Sequence, residues 1–106
     1  MAIQFYESPF HATETKAVAE NMTLRADLMI MIRDIIDQQG WTQSAAALKL
    51  NITQPRVSDI VNGKIEKFTL DYLVSILGTL GFRATFTFGD MDNSSIDIRR
   101  DAIALN

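Results

Sequence analysis

Between Asn51 and Lys64 the chain reads NITQPRVSDIVNGK, and polar side chains crowd its first half. Gln54, Arg56 and Asp59 bring an amide, a guanidinium and a carboxylate, each able to make two parallel hydrogen bonds to a planar partner. Thr53, Ser58 and Asn62 add smaller polar groups in the same run. Such an inventory suits recognition rather than the making of bonds. The whole chain holds one histidine and no cysteine. It shows no glycine-rich phosphate loop and no paired carboxylates with an obvious site, so acid–base, nucleophilic and metal-assisted reactions lack candidate residues. His11 stands alone. No cofactor or metal is implied, and an enzyme is not expected.

The elements that must hold these groups can be read from spacing and punctuation. The residues from about Thr13 suit a helix, and a longer run from about Leu24 to Gln39 places Leu24, Leu28, Met31, Ile32, Ile35 and Ile36 at helical intervals. Met29 and Ile30 fill the other side. A helix apolar nearly all round must be buried on more than one face, which predicts that a second subunit covers part of it. Gly40 ends the run. Trp41 is expected in the core. Thr42 can cap a short helix carrying Ala45, Ala46, Ala47 and Leu48, where small side chains permit close approach to a neighbour. Asn51 suits a left-handed cap after Leu50. The next helix can be capped by Thr53 or by Gln54, since Pro55 fits the first turn and disfavours helical geometry in the residue before it. Val57, Ile60 and Val61 form its inward stripe, and Asn62-Gly63 closes it. Thr69 caps a further helix with Leu70, Leu73, Val74, Leu77 and Leu80 inward and Gly81 at its end. FRATFTFG then alternates with strand period. A lone strand leaves its edge unpaired, so pairing with the same strand of a second subunit is expected. The tail MDNSSIDIRRDAIALN shows no clear period.

Composition narrows the class further. The 106 residues fit one domain, and a hydrophobic content of 47% is enough for a core. The absence of cysteine fits a reducing cytoplasm, where we expect the protein. The first twenty residues lack a basic n-region and a long apolar run, so they do not resemble a secretory signal. Leu28–Ile32, the longest apolar stretch, is far too short to span a membrane. The net charge is −3. It is unevenly distributed: residues 1–39 carry −3, residues 40–67 carry +2 and residues 68–106 carry −2. The one locally basic segment contains the polar run quoted above.

Two short helices joined by a tight turn, the second with an exposed polar tip, describe a helix-turn-helix. The segment WTQSAAALKLNITQPRVSDIVNGKIEKFTLDYLVSILGTLGF resembles the phage-repressor-like (Xre/Cro) helix-turn-helix family, with T-Q opening both helices, an N-G-K exit and a leucine-rich helix after it. The resemblance covers roughly residues 24–82. TQPRVSD, VNGKI, the F-T-L-D start and the upstream MTLRADLMIMIRDII are similar to a subgroup comprising HigA-type antitoxins and Xre regulators. The implied fold is an all-α, lambda-repressor-like domain of about five helices with one C-terminal strand. Its parts are an arm over residues 1–13, a helical domain over 14–81 with the motif at about 42–62, a dimerisation strand over 82–89 and a tail over 90–106.

The resemblance also implies roles. The second helix of the motif enters the major groove of double-stranded DNA. Arg56 is then expected at a guanine edge, a contact worth about 1–3 kcal/mol in discrimination. Gln54 would read adenine, and Pro55 would meet a thymine methyl. Asp59 would accept from cytosine or hold Arg56 as its i,i+3 neighbour. Gln43, Thr53, Ser58, Asn62, Lys64 and Lys67 are the candidates for phosphate contacts, which position rather than specify. Few cations per subunit point to a homodimer on an inverted repeat, with Met29, Phe82, Phe86 and Phe88 at the dimer interface. The alternative is an antitoxin that neutralises a RelE-like ribonuclease toxin and represses its own operon. The N-terminal arm (Ile3 to Glu14) and the tail (Ile96 to Asn106) could supply the toxin surface.

Overall fold

The computed structural model describes residues 10–101, with side chains from residue 18 onward. Among these residues the order is α1 (Phe10–Gln39), α2 (Gln43–Leu50), α3 (Gln54–Val61), a 3-10 turn (Ile65–Lys67), α4 (Leu70–Thr79), β1 (Phe82–Asp90) and β2 (Asn93–Arg100). Of the expected N-terminal arm, residues 1–9 and the His11 side chain lie outside the described residues, and α1 already includes Phe10.

Two expected helices, from about residue 13 and over residues 24–39, prove to be one. Nothing in Asn21-Met22-Thr23 stops a helix. The Thr23 hydroxyl folds back to donate to the Ala19 carbonyl at 3.0 Å, and Asn21 Oδ1 accepts from Arg25 Nε at 2.7 Å. At about 1.5 Å per residue the fused helix is roughly 45 Å long. The longest dimension of the fold, 46 Å, is of the same size. The described domain therefore has four α-helices rather than five.

The core gathers one stripe from each helix. Leu28, Met29, Ile32 and Ile36 of α1 meet Ala46 and Leu50 of α2, Val57 and Ile60 of α3, Phe68, and Leu73, Ile76 and Leu77 of α4. Ile32, Leu50, Val57, Ile60, Leu73 and Leu77 are the largest fully buried side chains, and each contributes about 1.5–3 kcal/mol of burial. Trp41 is half-buried and packs against this cluster. Met29 is only 3% exposed within the single chain, which corrects its expected place at a dimer surface. The middle of α1 is apolar on several sides because α3, α4 and the 3-10 turn all pack against it.

The C-terminal segment departs most from expectation. β1 is not a lone strand: β2 pairs with it antiparallel, from Phe82 opposite Arg100 to Asp90 opposite Asn93. The all-α reading therefore becomes a helical domain with a C-terminal hairpin, and the expected boundary at residue 89 falls inside the hairpin. The turn is locked by Asp90, whose carboxylate accepts from the Asp92 N–H and the Asn93 amide, both at 2.9 Å. Those bonds hold the Asp90 carboxyl below its ordinary pKa, the Asn93 amide contributing most. At its root the hairpin is tied to the body. Asp101 N–H donates to the Gly81 carbonyl at 2.8 Å, and Arg100 Nε donates to the Leu80 carbonyl at 3.2 Å.

Candidate nucleic-acid interface

The α2–α3 unit is built by three local devices. Thr42 sits in extended backbone, and its hydroxyl accepts from the Ala45 N–H at 3.1 Å, which starts α2. Asn51 ends α2 in the left-handed region, with φ 58° and ψ 46°, a conformation asparagine tolerates better than most residues. Thr53 then caps α3, its hydroxyl accepting from the Arg56 N–H at 3.4 Å, and Pro55 falls in the first turn. The connection is thus Asn51, Ile52 and Thr53. Ala46 is fully buried where α2 packs on the core, so a larger side chain there has no room. α3 closes with a pair of bonds from Gly63 N–H to the Ile60 carbonyl and from Lys64 N–H to the Asp59 carbonyl, both 3.0 Å, with Gly63 at φ 70°. That is a Schellman closure, and the positive φ is why glycine stands there.

The polar groups fall into two sets. Gln54 and Pro55 at the tip of α3 are exposed, as are Thr53, Asn62, Lys64 and Lys67, while Gln43 is half-buried at the start of α2. The side chains of Gln43, Gln54 and Lys64 make no hydrogen bond or ion pair with any described residue. They are open to a partner. Asn62 donates its amide to the Ser58 hydroxyl at 3.3 Å.

Arg56 and Asp59 belong to the other set. The Arg56 guanidinium lies 4.8 Å from the Phe68 ring centroid and 4.7 Å from that of Tyr72. The two rings are 5.8 Å apart. Arg56 Nη1 also donates to the Lys67 carbonyl at 3.2 Å. Asp59 pairs with Lys67, Nζ to Oδ2 at 3.5 Å, so the i,i+3 pairing of Asp59 with Arg56 does not form. From the other side, Arg25 Nη1 donates to the carbonyls of Ile65 at 3.0 Å and Phe68 at 3.2 Å. Segment 65–68 is therefore gripped by two arginines, one from α1 and one from α3. Sequence reasoning missed Phe68 and Tyr72 as partners of Arg56. Their separations of 12 and 16 residues match no local spacing rule.

The chemistry available here is hydrogen bonding from a helix tip. Among the described residues no cluster of His, Cys, Asp or Glu could hold a metal, and no helix is long and apolar enough to cross a membrane. Short capped α2, a three-residue turn and α3 with an exposed polar tip define a helix-turn-helix protein. Comparison with known families agrees. The model of a family described as "Helix-turn-helix domain" matches residues 13–87, and the chain belongs to that family. A solved structure described as "Putative XRE Family Transcriptional Regulator" is similar over 79% of this chain and 93% of its own, with 28% identity and a TM-score of 0.64. No curated protein is significantly similar.

Proposed function

We propose that the protein is a DNA-binding transcriptional regulator that acts as a dimer on an inverted-repeat operator. The observation that carries this reading is the exposed, unengaged tip of α3 on a capped helix-turn-helix. Membership of the helix-turn-helix family and likeness to an XRE regulator support it. In such a complex α3 lies in the major groove. Gln54 leads, with an amide suited to adenine, and Pro55 offers an apolar face to a thymine methyl. Gln43 and the first N–H groups of α2 take one phosphate. Thr53, Ser58, Asn62, Lys64 and Lys67 flank the tip and take others. Arg56 and Asp59 stand behind the tip as a brace, because the Phe68–Tyr72 rings and Lys67 already hold them.

The test is selection of bound sites from a random duplex pool. An enriched inverted repeat with half-sites about 10 bp apart, centre to centre, is expected. No enrichment at low salt would remove the reading.

The second reading is an antitoxin that also binds DNA. It is favoured by apolar surface on the first half of α1: Val18, Met22 and Leu24 are 58%, 45% and 51% exposed. Co-purification with a small ribonuclease encoded beside it is the expected outcome. A chain that purifies alone from its native operon would count against it.

A further inference from the structure

The hairpin has two unlike faces. Residues opposite each other in an antiparallel pair share a face. The register therefore puts Phe82 with Arg100, Ala84 with Ile98, Phe86 with Ile96 and Phe88 with Ser94 on one side. Arg83 with Arg99, Thr85 with Asp97 and Thr87 with Ser95 fill the other. The first face is covered only at its root, where Phe82 packs against the core. Exposure grows outward from there: Ile98, opposite Ala84, is 39% exposed, and beyond that pair Ile96 is 64%, Phe86 73% and Phe88 71% exposed. An isolated two-stranded hairpin is marginal in water and needs a further layer on its apolar side.

We infer that this face packs on the same face of a second copy, joining two chains sheet to sheet. The inference deepens the dimeric half of the proposed function and is independent of DNA binding. Three arguments select a second copy. Outward of Arg100, whose guanidinium is held at the hairpin root, the apolar face carries no charge, so two copies meet without like-charge opposition. The reverse face sets Arg83 directly against Arg99 and cannot serve. The two phenylalanines and two isoleucines offer on the order of 500 Å² per chain. Two copies then bury about 1,000 Å², which rim residues bring to the lower end of stable interfaces near 1,200 Å². Pairing by strand edges, the arrangement expected from β1 alone, would extend the sheet and leave the same apolar face in water. Stacking, with the sheets about 10 Å apart, is the arrangement that covers it.

The test reads mass in solution without DNA, so its outcome is separate from any failure to bind an operator. Sedimentation of the full chain should show a concentration-dependent dimer. Phe86→Asp and Ile96→Asp, which place a carboxylate on the apolar face, should each weaken association at least about 100-fold while the helical circular dichroism persists. Thr87→Asp puts the same charge on the reverse face and should leave the dimer intact. As a second readout, the chain has no native cysteine, so Ile96→Cys should be joined between two chains by a thiol-reactive bifunctional crosslinker reaching about 10 Å, the spacing of stacked sheets, and Thr87→Cys should not. A native chain that stays monomeric would overturn the inference. So would a dimer that survives both aspartates on the apolar face. Equal disruption by Thr87→Asp would point to edge pairing and overturn it as well.

Discussion

Replacing Arg56 with alanine removes a side chain that touches three things at once. Its guanidinium loses two aromatic faces at 4.8 and 4.7 Å and one hydrogen bond of 3.2 Å to the Lys67 carbonyl. A cation over an aromatic ring contributes about 0.5–1 kcal/mol at a partly exposed site. A hydrogen bond from a charged donor contributes about 1.5 kcal/mol. Arg56 is half-buried, so solvent competes for each contact, and the summed loss should be about 2 kcal/mol. For a domain of this size that lowers the midpoint of thermal unfolding by roughly 10 °C. Lysine should recover little of it, because it lacks the planar group that lies over both rings. Thermal denaturation followed by circular dichroism measures the loss. Affinity for a selected operator should fall evenly across its base variants, because the brace positions α3 without choosing a base. A mutant with unchanged thermal stability that loses guanine preference at one operator position, by about 1–3 kcal/mol, would refute the reasoning. It would return Arg56 to the base edge.

Gln54→Ala should relax preference at one base position by about 1–3 kcal/mol without shifting thermal unfolding, since Gln54 bonds to no described residue; binding to single-base operator variants checks it. Ala46→Leu should cost about 1–3 kcal/mol by overpacking a site with no exposed surface, read by urea denaturation. Asp90 has a depressed pKa, so its turn-locking contribution is complete above the ordinary carboxylate value of about 3.9 and is lost as pH falls through the lower folded value. NMR titration of the Asp90 carboxyl should give a midpoint below about 3.9, and Asn93→Ala should move it back up.

The caps were legible because each is a local device. Thr42, Thr53 and Thr69 each accept a backbone N–H three residues ahead, and Gly40, Gly63 and Gly81 all have positive φ. Residue type and one turn of context suffice for both. The choice of Thr53 over Gln54 as the α3 cap needed the backbone itself. The continuity of α1 was hidden because the apolar helical intervals begin only at Leu24; Asn21 and Thr23 do not break the helix and bond back along it. β2 was hidden for another reason. It is exposed along its whole length, and its apolar alternation is limited to Ile96 and Ile98 in a polar run that no buried stripe extends. The destination of Arg56 was beyond local rules altogether. Phe68 and Tyr72 reach it only because the 3-10 turn folds the chain back beside α3, and Asp59, at the familiar i,i+3 spacing, is taken by Lys67.

The central claim is that DNA meets the tip formed by the starts of α2 and α3. Backbone amide NMR during titration with a selected duplex tests it most directly. Shifts should concentrate at Gln43 and Ser44 and from Thr53 to Ser58, with smaller changes at Asn62 and Lys64 and none at Phe86, Phe88 and Ile96. Shifts confined to the hairpin or to the first half of α1, with the α3 tip silent, would contradict the account.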